Sequence, residues 1–277
     1  MNHLVIKRPD FGFAKDCLNA LKKTELKYLL VQDFFTGDEL KTIIRDLRAL
    51  PNRLYTKATP GYTVFPRPAF NMVNPAEDVE VYFTEAKEAF INLKKYIGID
   101  VVARFNDVFK QLNSAKPVQV LPGPTDGSTF MPINFRIMTP EIGTKATSHI
   151  HNGSNITARC VNGTYKHLAD VVDFENQLSF FCLLQNCAVG GDLTIYDFKR
   201  EDYPALVDGR YLINGDIKID LETTKEKCTV HMEPGDLIVF PGGQLWHRVE
   251  VVKKAERISL GGFAASSFAG SNWYYWI

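Results

Sequence analysis

Residues 234–249, PGDLIVFPGGQLWHRV, carry the pattern that decides the fold. Within them, the apolar run Leu237 to Phe240 lies between two turn signals, Pro234-Gly235 and Pro241-Gly242-Gly243. Short apolar runs bounded by proline and glycine are typical of buried strands, because these residues favour turns and interrupt helices. The same alternation of turns and strand-like runs recurs along residues 117–277. This half of the chain therefore predicts an all-β sandwich or barrel.

The first 116 residues have a mainly helical pattern. Tyr28 to Phe35 is a mostly apolar run that predicts a strand, and it is followed by Thr36-Gly37-Asp38-Glu39, which has the sequence of a capping box. Apolar residues then recur at helical spacing behind this cap, at Leu40, Ile43, Ile44 and Leu47. Similar stripes in residues 76–96 and, more weakly, 100–112 predict two further helices.

Composition excludes several classes of partner. The 32 Lys and Arg residues balance the 32 Asp and Glu residues, so the chain lacks the basic excess of a nucleic-acid-binding protein. The central apolar run, residues 180–184, is far shorter than the roughly 20 residues that span a bilayer. Residues 1–9 lack the apolar stretch of a signal peptide. Five irregularly spaced cysteines fit a reducing compartment, and we expect a cytoplasmic protein.

Three of the six histidines occur in strand-like contexts. Because side chains alternate along a strand, His149, His151 and Gly153 share one face. Two imidazoles two residues apart on one face have a good spacing for metal ligands. His247 follows the strand–turn pattern quoted above, and Arg257 comes ten residues later. If these two residues lie on successive antiparallel strands, both side chains point into the same mouth of a barrel.

The chain resembles the iron(II)/2-oxoglutarate-dependent oxygenases, and more closely the freestanding aliphatic halogenases of cyanobacterial indole-alkaloid biosynthesis. The similar segments are 177–181 (QLSFF), 190–196 (GGDLTIY), 234–240 (PGDLIVF), 246–249 (WHRV), 261–263 (GGF) and 274–276 (YYW). The resemblance covers residues 117–277 well and the N-terminal helices loosely.

The resemblance implies a mainly β fold with added helices. Its core is a double-stranded β-helix (jelly-roll, cupin-like), with the N-terminal helices packed outside. We expect one domain spanning residues 1–277, with residues 1–116 mainly helical and residues 117–277 forming the jelly-roll catalytic core.

Family members hold iron with a His-x-Asp/Glu…His frame and leave positions open for 2-oxoglutarate and oxygen. The resemblance maps the distal histidine to His247. It maps the arginine that clamps the far carboxylate of 2-oxoglutarate to Arg257, with Ser259 on the same strand face. Ser179 is a candidate for holding an oxygen ligand of the iron.

The chain departs from this frame because neither His149 nor His151 is followed by an acidic residue two positions on. In one register, His151 binds iron and Gly153 vacates the carboxylate position for a halide such as chloride. In the other, His149, His151 and His247 give three neutral ligands. Spacing leaves both registers open. Our interpretation takes His151 as the ligand and Gly153 as the vacancy, with His149 next to the centre.

Function is therefore expected to be oxidation of an aliphatic C–H bond of a free small molecule by iron(II) and 2-oxoglutarate, with halogenation as the leading reaction. The alternatives are a hydroxylase or desaturase with a three-histidine or carboxylate-free iron site, and a cupin-like, non-catalytic metal-binding protein. Against the last, a buried Arg257 without an anion is costly.

Overall fold

The computed structural model describes residues 2–8, 15–67, 75–140, 150–153, 166–199, 206–207, 210–213, 216–220 and 226–277. Within these ranges the helices are α1 Cys17–Lys22, α2 Gly37–Ala49, α3 Pro75–Ile97, α4 Val101–Leu112 and α5 Lys166–Val171, with 3-10 turns at Asn52–Leu54 and Phe174–Asn176. The strands are β1 His3–Lys7, β2 Tyr28–Gln32, β3 Thr56–Thr59, β4 Tyr62–Phe65, β5 Val118–Val120, β6 Asn134–Met138, β7 Leu178–Gln185, β8 Leu193–Lys199, β9 Leu206–Val207, β10 Arg210–Ile213, β11 Asp216–Asp220, β12 Lys227–Val230, β13 Leu237–Phe240, β14 Leu245–Val249, β15 Arg257–Ser266 and β16 Trp273–Trp276.

These strands form three sheets. The major sheet has the order β1-β2-β13-β7-β15-β6-β4-β3, with β16 added beside β15 and β5 beside β16. The minor sheet is β12-β8-β14, and β11-β10-β9 form a small third sheet. Neighbouring strands run antiparallel except in the pairs β1–β2 and β5–β16.

The two faces of β7 show how the layers are arranged. Phe180 on one face joins the large apolar cluster that contains the helices, and its ring centroid lies 5.2 Å from that of Phe105 and 4.9 Å from that of Phe109 in α4. Phe181 on the other face packs in a second cluster with Ile195 of β8. The major and minor sheets therefore face each other across an apolar interior, with helices on the outer face of the major sheet. This confirms the predicted mainly β fold with a jelly-roll core.

The predicted capping box begins α2. Thr36 Oγ1 accepts a hydrogen bond from Glu39 N, and the Glu39 carboxylate accepts one from Thr36 N at 2.8 Å. Glu39 also pairs with Arg104 of α4, whose guanidinium donates to Phe34 O at 2.9 Å. The apolar stripe of α2 is buried at Leu40, Ile43 and Leu47. The stripes in residues 76–96 and 100–112 coincide with α3 and α4.

The N-terminal part also contributes four strands to the major sheet, of which the sequence analysis predicted only β2. Strand β2 lies between β1 and β13, with Val31 opposite Leu237. The strands β3 and β4 extend the other edge through pairing of β4 with β6. Strands β1, β3 and β4 have four or five residues each and carry polar side chains among the apolar ones, so the sequence gives little signal for them. The major sheet therefore combines strands from residues 1–116 with strands from residues 117–277.

Among the described residues, no helix has both the length and the apolar character needed to cross a bilayer. The described cysteines, Cys17, Cys182, Cys187 and Cys228, are free thiols.

Candidate active site

His151 and His247 lie side by side at one end of the space between the sheets. Their backbones form an isolated antiparallel bridge, with His151 N donating to His247 O at 2.9 Å and His247 N donating to His151 O at 2.8 Å. Their ring centroids are 4.4 Å apart, with an angle of 55° between the ring planes. Segment 150–153 thus extends the minor sheet beside β14 and aligns two imidazoles.

The surroundings of His247 select its tautomer. Its Nδ1 lies 2.9 Å from Leu245 O, so Nδ1 carries the proton and Nε2 carries the lone pair. The ring is buried and lies edge-on to Phe240, with a centroid separation of 4.8 Å. A histidine held by a backbone carbonyl through one nitrogen presents the other nitrogen in the form that binds a metal.

The third predicted histidine, His149, lies outside the described residues. Among the residues that are described, no cluster of three His, Cys, Asp or Glu side chains has the spacing of a metal site. The described part of the site is therefore a pair of adjacent histidine side chains. Such a donor set fits iron(II) when exogenous ligands complete the coordination sphere.

Gly153, the predicted vacancy, is anchored through its backbone, because Gly153 N donates to Gly242 O at 2.9 Å. The space beside its Cα is filled. A Cβ built there would overlap Gln177 Nε2, lie 3.2 Å from Gln177 Cδ and lie 2.9 Å from Gly243 Cα. The position therefore lacks a side chain of its own and is occupied by the amide of Gln177.

Ser179 lies on the inner face of β7, opposite to the face that carries Phe180. It is buried, and a Cβ built on Gly242 would overlap its hydroxyl. The turn that leads into β14 thus passes directly over Ser179. This places the hydroxyl on the same side of β7 as Phe181 and toward the segment that carries His247.

Arg257 is buried on the inner face of the major sheet at the start of β15. Its Nε donates to Gly191 O at 2.9 Å and its Nη1 donates to Ser259 Oγ at 3.1 Å, so Ser259 does lie beside it. The guanidinium carbon is 5.1 Å from the ring centroid of Phe181. Among the described residues no carboxylate forms an ion pair with it. A buried guanidinium with this environment fits an anionic ligand.

The pKa of Arg257 is lowered to about 10, mainly because the guanidinium is buried. The nearby charge of Arg136 also lowers it, whereas nearby acidic groups raise it. Arg136 lies on β6 opposite Ser259, and its Nε donates to Asn134 Oδ1 at 3.1 Å. A dianion such as 2-oxoglutarate is suited to this environment, because it would offset the cost of burying the guanidinium.

His247 and Arg257 lie on successive strands that belong to different sheets. Strand β14 pairs with β8 in the minor sheet, whereas β15 pairs with β6, β7 and β16 in the major sheet. The two side chains therefore come from opposite sheets and face one interior. Phe181 and Phe240 line the path between them, with ring centroids 6.5 Å apart.

Gln177 and Arg136 were not predicted as site residues. Gln177 lies two residues before Ser179 in a segment quoted for the resemblance, and Arg136 alternates with Asn134 on one face of β6. The sequence signal that could have indicated them is the occurrence of polar residues at alternate positions in an otherwise apolar segment.

The comparisons with solved structures support the fold. An N-substituted L-amino acid dioxygenase from Burkholderia ambifaria AMMD matches with a TM-score of 0.58 and 15% identity, covering 94% of this chain and 90% of that chain. The same enzyme in complex with α-ketoglutarate matches with a TM-score of 0.57 and 14% identity, covering 94% of this chain and 90% of that chain. Comparison with curated protein sequences gives no match.

Two facing sheets, with a histidine pair on one and a buried arginine on the other, have the architecture of the iron(II)/2-oxoglutarate-dependent oxygenases. The family model for the carrier-protein-independent halogenase WelO5 matches residues 1–277, and the chain belongs to this family. It is therefore an iron(II)/2-oxoglutarate-dependent oxygenase, and its cofactors are iron(II) and 2-oxoglutarate.

Proposed function

We propose that this enzyme halogenates an aliphatic C–H bond of a free small molecule, with His151 and His247 as the protein ligands of the iron and chloride as the halide. The observation that carries the proposal is that Gly153 follows the histidine pair. In oxygenases whose iron has a carboxylate ligand, the residue at this position is acidic. A halide at that position would supply the missing negative charge.

The residues of the opposite sheet support a separate role in cosubstrate binding. Arg257 offers a planar pair of N–H donors that suits the far carboxylate of 2-oxoglutarate, and Ser259 fixes the guanidinium from the side. When bound, iron with 2-oxoglutarate supplies oxidative cleavage of a C–H bond. The histidine pair would hold the iron from one sheet, and Arg257 would hold 2-oxoglutarate from the other. The interior between the two sheets is apolar.

Ser179 is proposed to hold an oxygen ligand of the iron through its hydroxyl. Its burial on the inner face of β7, under the turn before His247, supports this role. The free thiols fit the proposed cytoplasmic location, where disulfides are rare. We further propose that residues 1–277 form one domain, since β2 is paired to β13 within one sheet.

The test is an anaerobic titration of the metal-free protein with iron(II) and 2-oxoglutarate, with and without chloride, followed by visible absorption. We expect an absorption band that requires both ligands and that shifts when chloride is added. Oxygen is then admitted with a panel of small aliphatic and alkaloid substrates, and the products are analysed by mass spectrometry in chloride or bromide. Chlorinated and brominated products support halogenation. Oxygenated or desaturated products that are indifferent to halide would instead identify a hydroxylase or desaturase.

A further inference from the structure

Gln177 has a buried amide whose polar atoms have no partner in the described part of the chain. The residue is fully buried, and neither Nε2 nor Oε1 accepts or donates a hydrogen bond among the described residues. A buried primary amide without partners is costly, because its hydration is lost and nothing replaces it. Such a group in a site region points to a ligand that supplies the missing hydrogen bond.

The backbone around Gln177 is built to hold this amide in place. Gly243 N donates to Gln177 O at 2.9 Å, and a Cβ built on Gly243 would lie 2.9 Å from Gln177 Cγ. On the other side, Gly153 leaves room for Nε2 and Cδ, and any side chain at residue 153 would collide with them. The amide therefore lies in a slot between two glycines, each tied to neighbouring backbone by a hydrogen bond.

The slot coincides with the position that an acidic ligand would use. Residue 153 follows His151 by two positions, which is the spacing at which the family frame has its acidic ligand, and in the structure it lies in the turn after the His151–His247 bridge. Gln177 sends its amide into that space from the opposite sheet. Ser179, two residues further along, faces the same turn at Gly242.

We propose that Gln177 is an anion-binding residue whose amide N–H donates a hydrogen bond to the halide at the open iron position beside Gly153. The inference rests on the proposed function. A halide accepts hydrogen bonds and donates none, so of the two ends of the amide the NH₂ group is the one that faces it. In this proposal Gly153 has two roles. It supplies no carboxylate to the iron, and it leaves space for the Gln177 amide that binds the halide.

The test compares Gln177→Met with the wild-type enzyme. Methionine has a similar length but no N–H donor. Chloride is titrated into the anaerobic protein loaded with iron(II) and 2-oxoglutarate, and its dissociation constant is read from the visible absorption. Because hydrogen bonds to charged groups are among the stronger ones, we expect chloride binding to weaken about 10- to 100-fold. The dissociation constants of iron(II) and 2-oxoglutarate should remain within about twofold.

Gln177→Glu provides a second variant of nearly the same shape. It replaces the donor with a negative charge in the slot, so chloride binding should weaken further than in Gln177→Met. The matched control is Gln185→Met, at the far end of β7, where the amide donates to Glu256 O at 3.0 Å and faces away from the slot. We expect this variant to bind chloride like the wild type.

Thermal unfolding of the metal-free protein separates ligand binding from a structural role. The Gln177 amide bonds to no described group, so Gln177→Met should unfold at the same temperature as the wild type or higher. A clear drop in the unfolding temperature would mean that the amide supports the fold, and would overturn the inference.

The remaining outcomes distinguish this inference from the proposed function. If both Gln177 variants bind chloride as tightly as the wild type does, the inference is overturned and the proposed function is unaffected. A wild-type enzyme that is indifferent to chloride would overturn both. Loss of iron(II) affinity in Gln177→Met would instead identify the amide oxygen as a metal ligand and would also overturn the inference.

Discussion

The two facing sheets position their candidate functional residues in different ways. The major sheet holds Arg257 in a ten-residue strand that is paired along both edges and is backed by the helical layer. The minor sheet has three strands, and within the part of the chain that the structure describes His151 joins it through an isolated bridge to His247. The arginine proposed to bind 2-oxoglutarate is thus part of a continuous sheet, whereas the proposed metal ligands meet where two segments far apart in sequence come together. Cosubstrate recognition and metal binding should therefore respond separately to mutation.

The largest effect is expected at the minor sheet, in His247→Ala. Removal of a metal ligand should exceed the 10- to 100-fold losses that are typical of groups next to ligands, so iron(II) affinity should fall by more than about 100-fold. Iron(II) binding by the metal-free protein, measured anaerobically, tests this. His231→Ala is the control, because His231 is exposed and pairs with Asp192 at 3.2 Å. Equal iron binding in the two variants would contradict the assignment.

Gly153→Asp is expected to have the next largest effect. The new carboxylate enters the slot of Gln177 beside His151, competes with chloride for the iron and repels it. Chloride should no longer shift the absorption, and halogenated product should disappear while oxygenated product persists. Gly153→Ala is the uncharged control, which displaces the amide without adding charge and should weaken chloride binding less. Wild-type chloride binding in Gly153→Asp would contradict the prediction.

The same experiment separates the two registers when it is paired with His149→Ala. If His149, His151 and His247 all bind iron, His149→Ala should abolish iron binding. Gly153→Asp should then have little effect on iron binding. If His151 and His247 are the ligands, His149→Ala should retain iron.

At the major sheet, Arg257→Ala should weaken 2-oxoglutarate binding by at least about tenfold, because a charge-assisted pair of hydrogen bonds is lost. Anaerobic calorimetry of the iron(II)-loaded protein measures it. Iron(II) affinity should be unaffected, which is the outcome that separates this sheet from the minor one. Arg248→Ala is the control, since Arg248 lies on the outer face of β14 and pairs with Glu250 at 2.9 Å. Unchanged 2-oxoglutarate affinity in Arg257→Ala would refute this role.

The smallest effect is expected in the helical layer. Thr36→Ala removes one half of the capping box, and the free energy of unfolding should fall by about 1 kcal/mol. Urea denaturation measures this change. Binding of iron(II), 2-oxoglutarate and chloride should stay as in the wild type, because α2 packs on the outer side of the major sheet.

The sequence predicted the parts of this molecule that depend on local pattern. The capping box at Thr36, the helices behind it and the strand Leu237–Phe240 follow from local sequence pattern alone. The candidate ligands His151, His247 and Arg257 followed from a motif resemblance, and their roles stay predictions. Arg257 and Ser259 do lie within hydrogen-bonding distance of each other, as their alternation on one strand suggested.

The remaining features depend on contacts between distant segments. Gln177 meets Gly153 and Gly243 only after two sheets have closed on each other, and no local pattern records that meeting. The glycines at 242 and 243 were interpreted as turn residues, although close approach of Ser179 and Gln177 also requires them. The order of the strands was likewise not predicted from the sequence, and it places His247 and Arg257 in different sheets.

The pairing of β2 with β13 has a consequence for how the protein is made. Val31 lies opposite Leu237, so the centre of the major sheet joins residues roughly 200 positions apart. While the ribosome is still translating the middle of the chain, the apolar segment Tyr28–Gln32 has no partner on its β13 side. Contacts of such high sequence separation slow folding, and an unpaired apolar strand invites association between nascent chains. Yield during expression should therefore depend on chaperone capacity more than on the final stability of the enzyme.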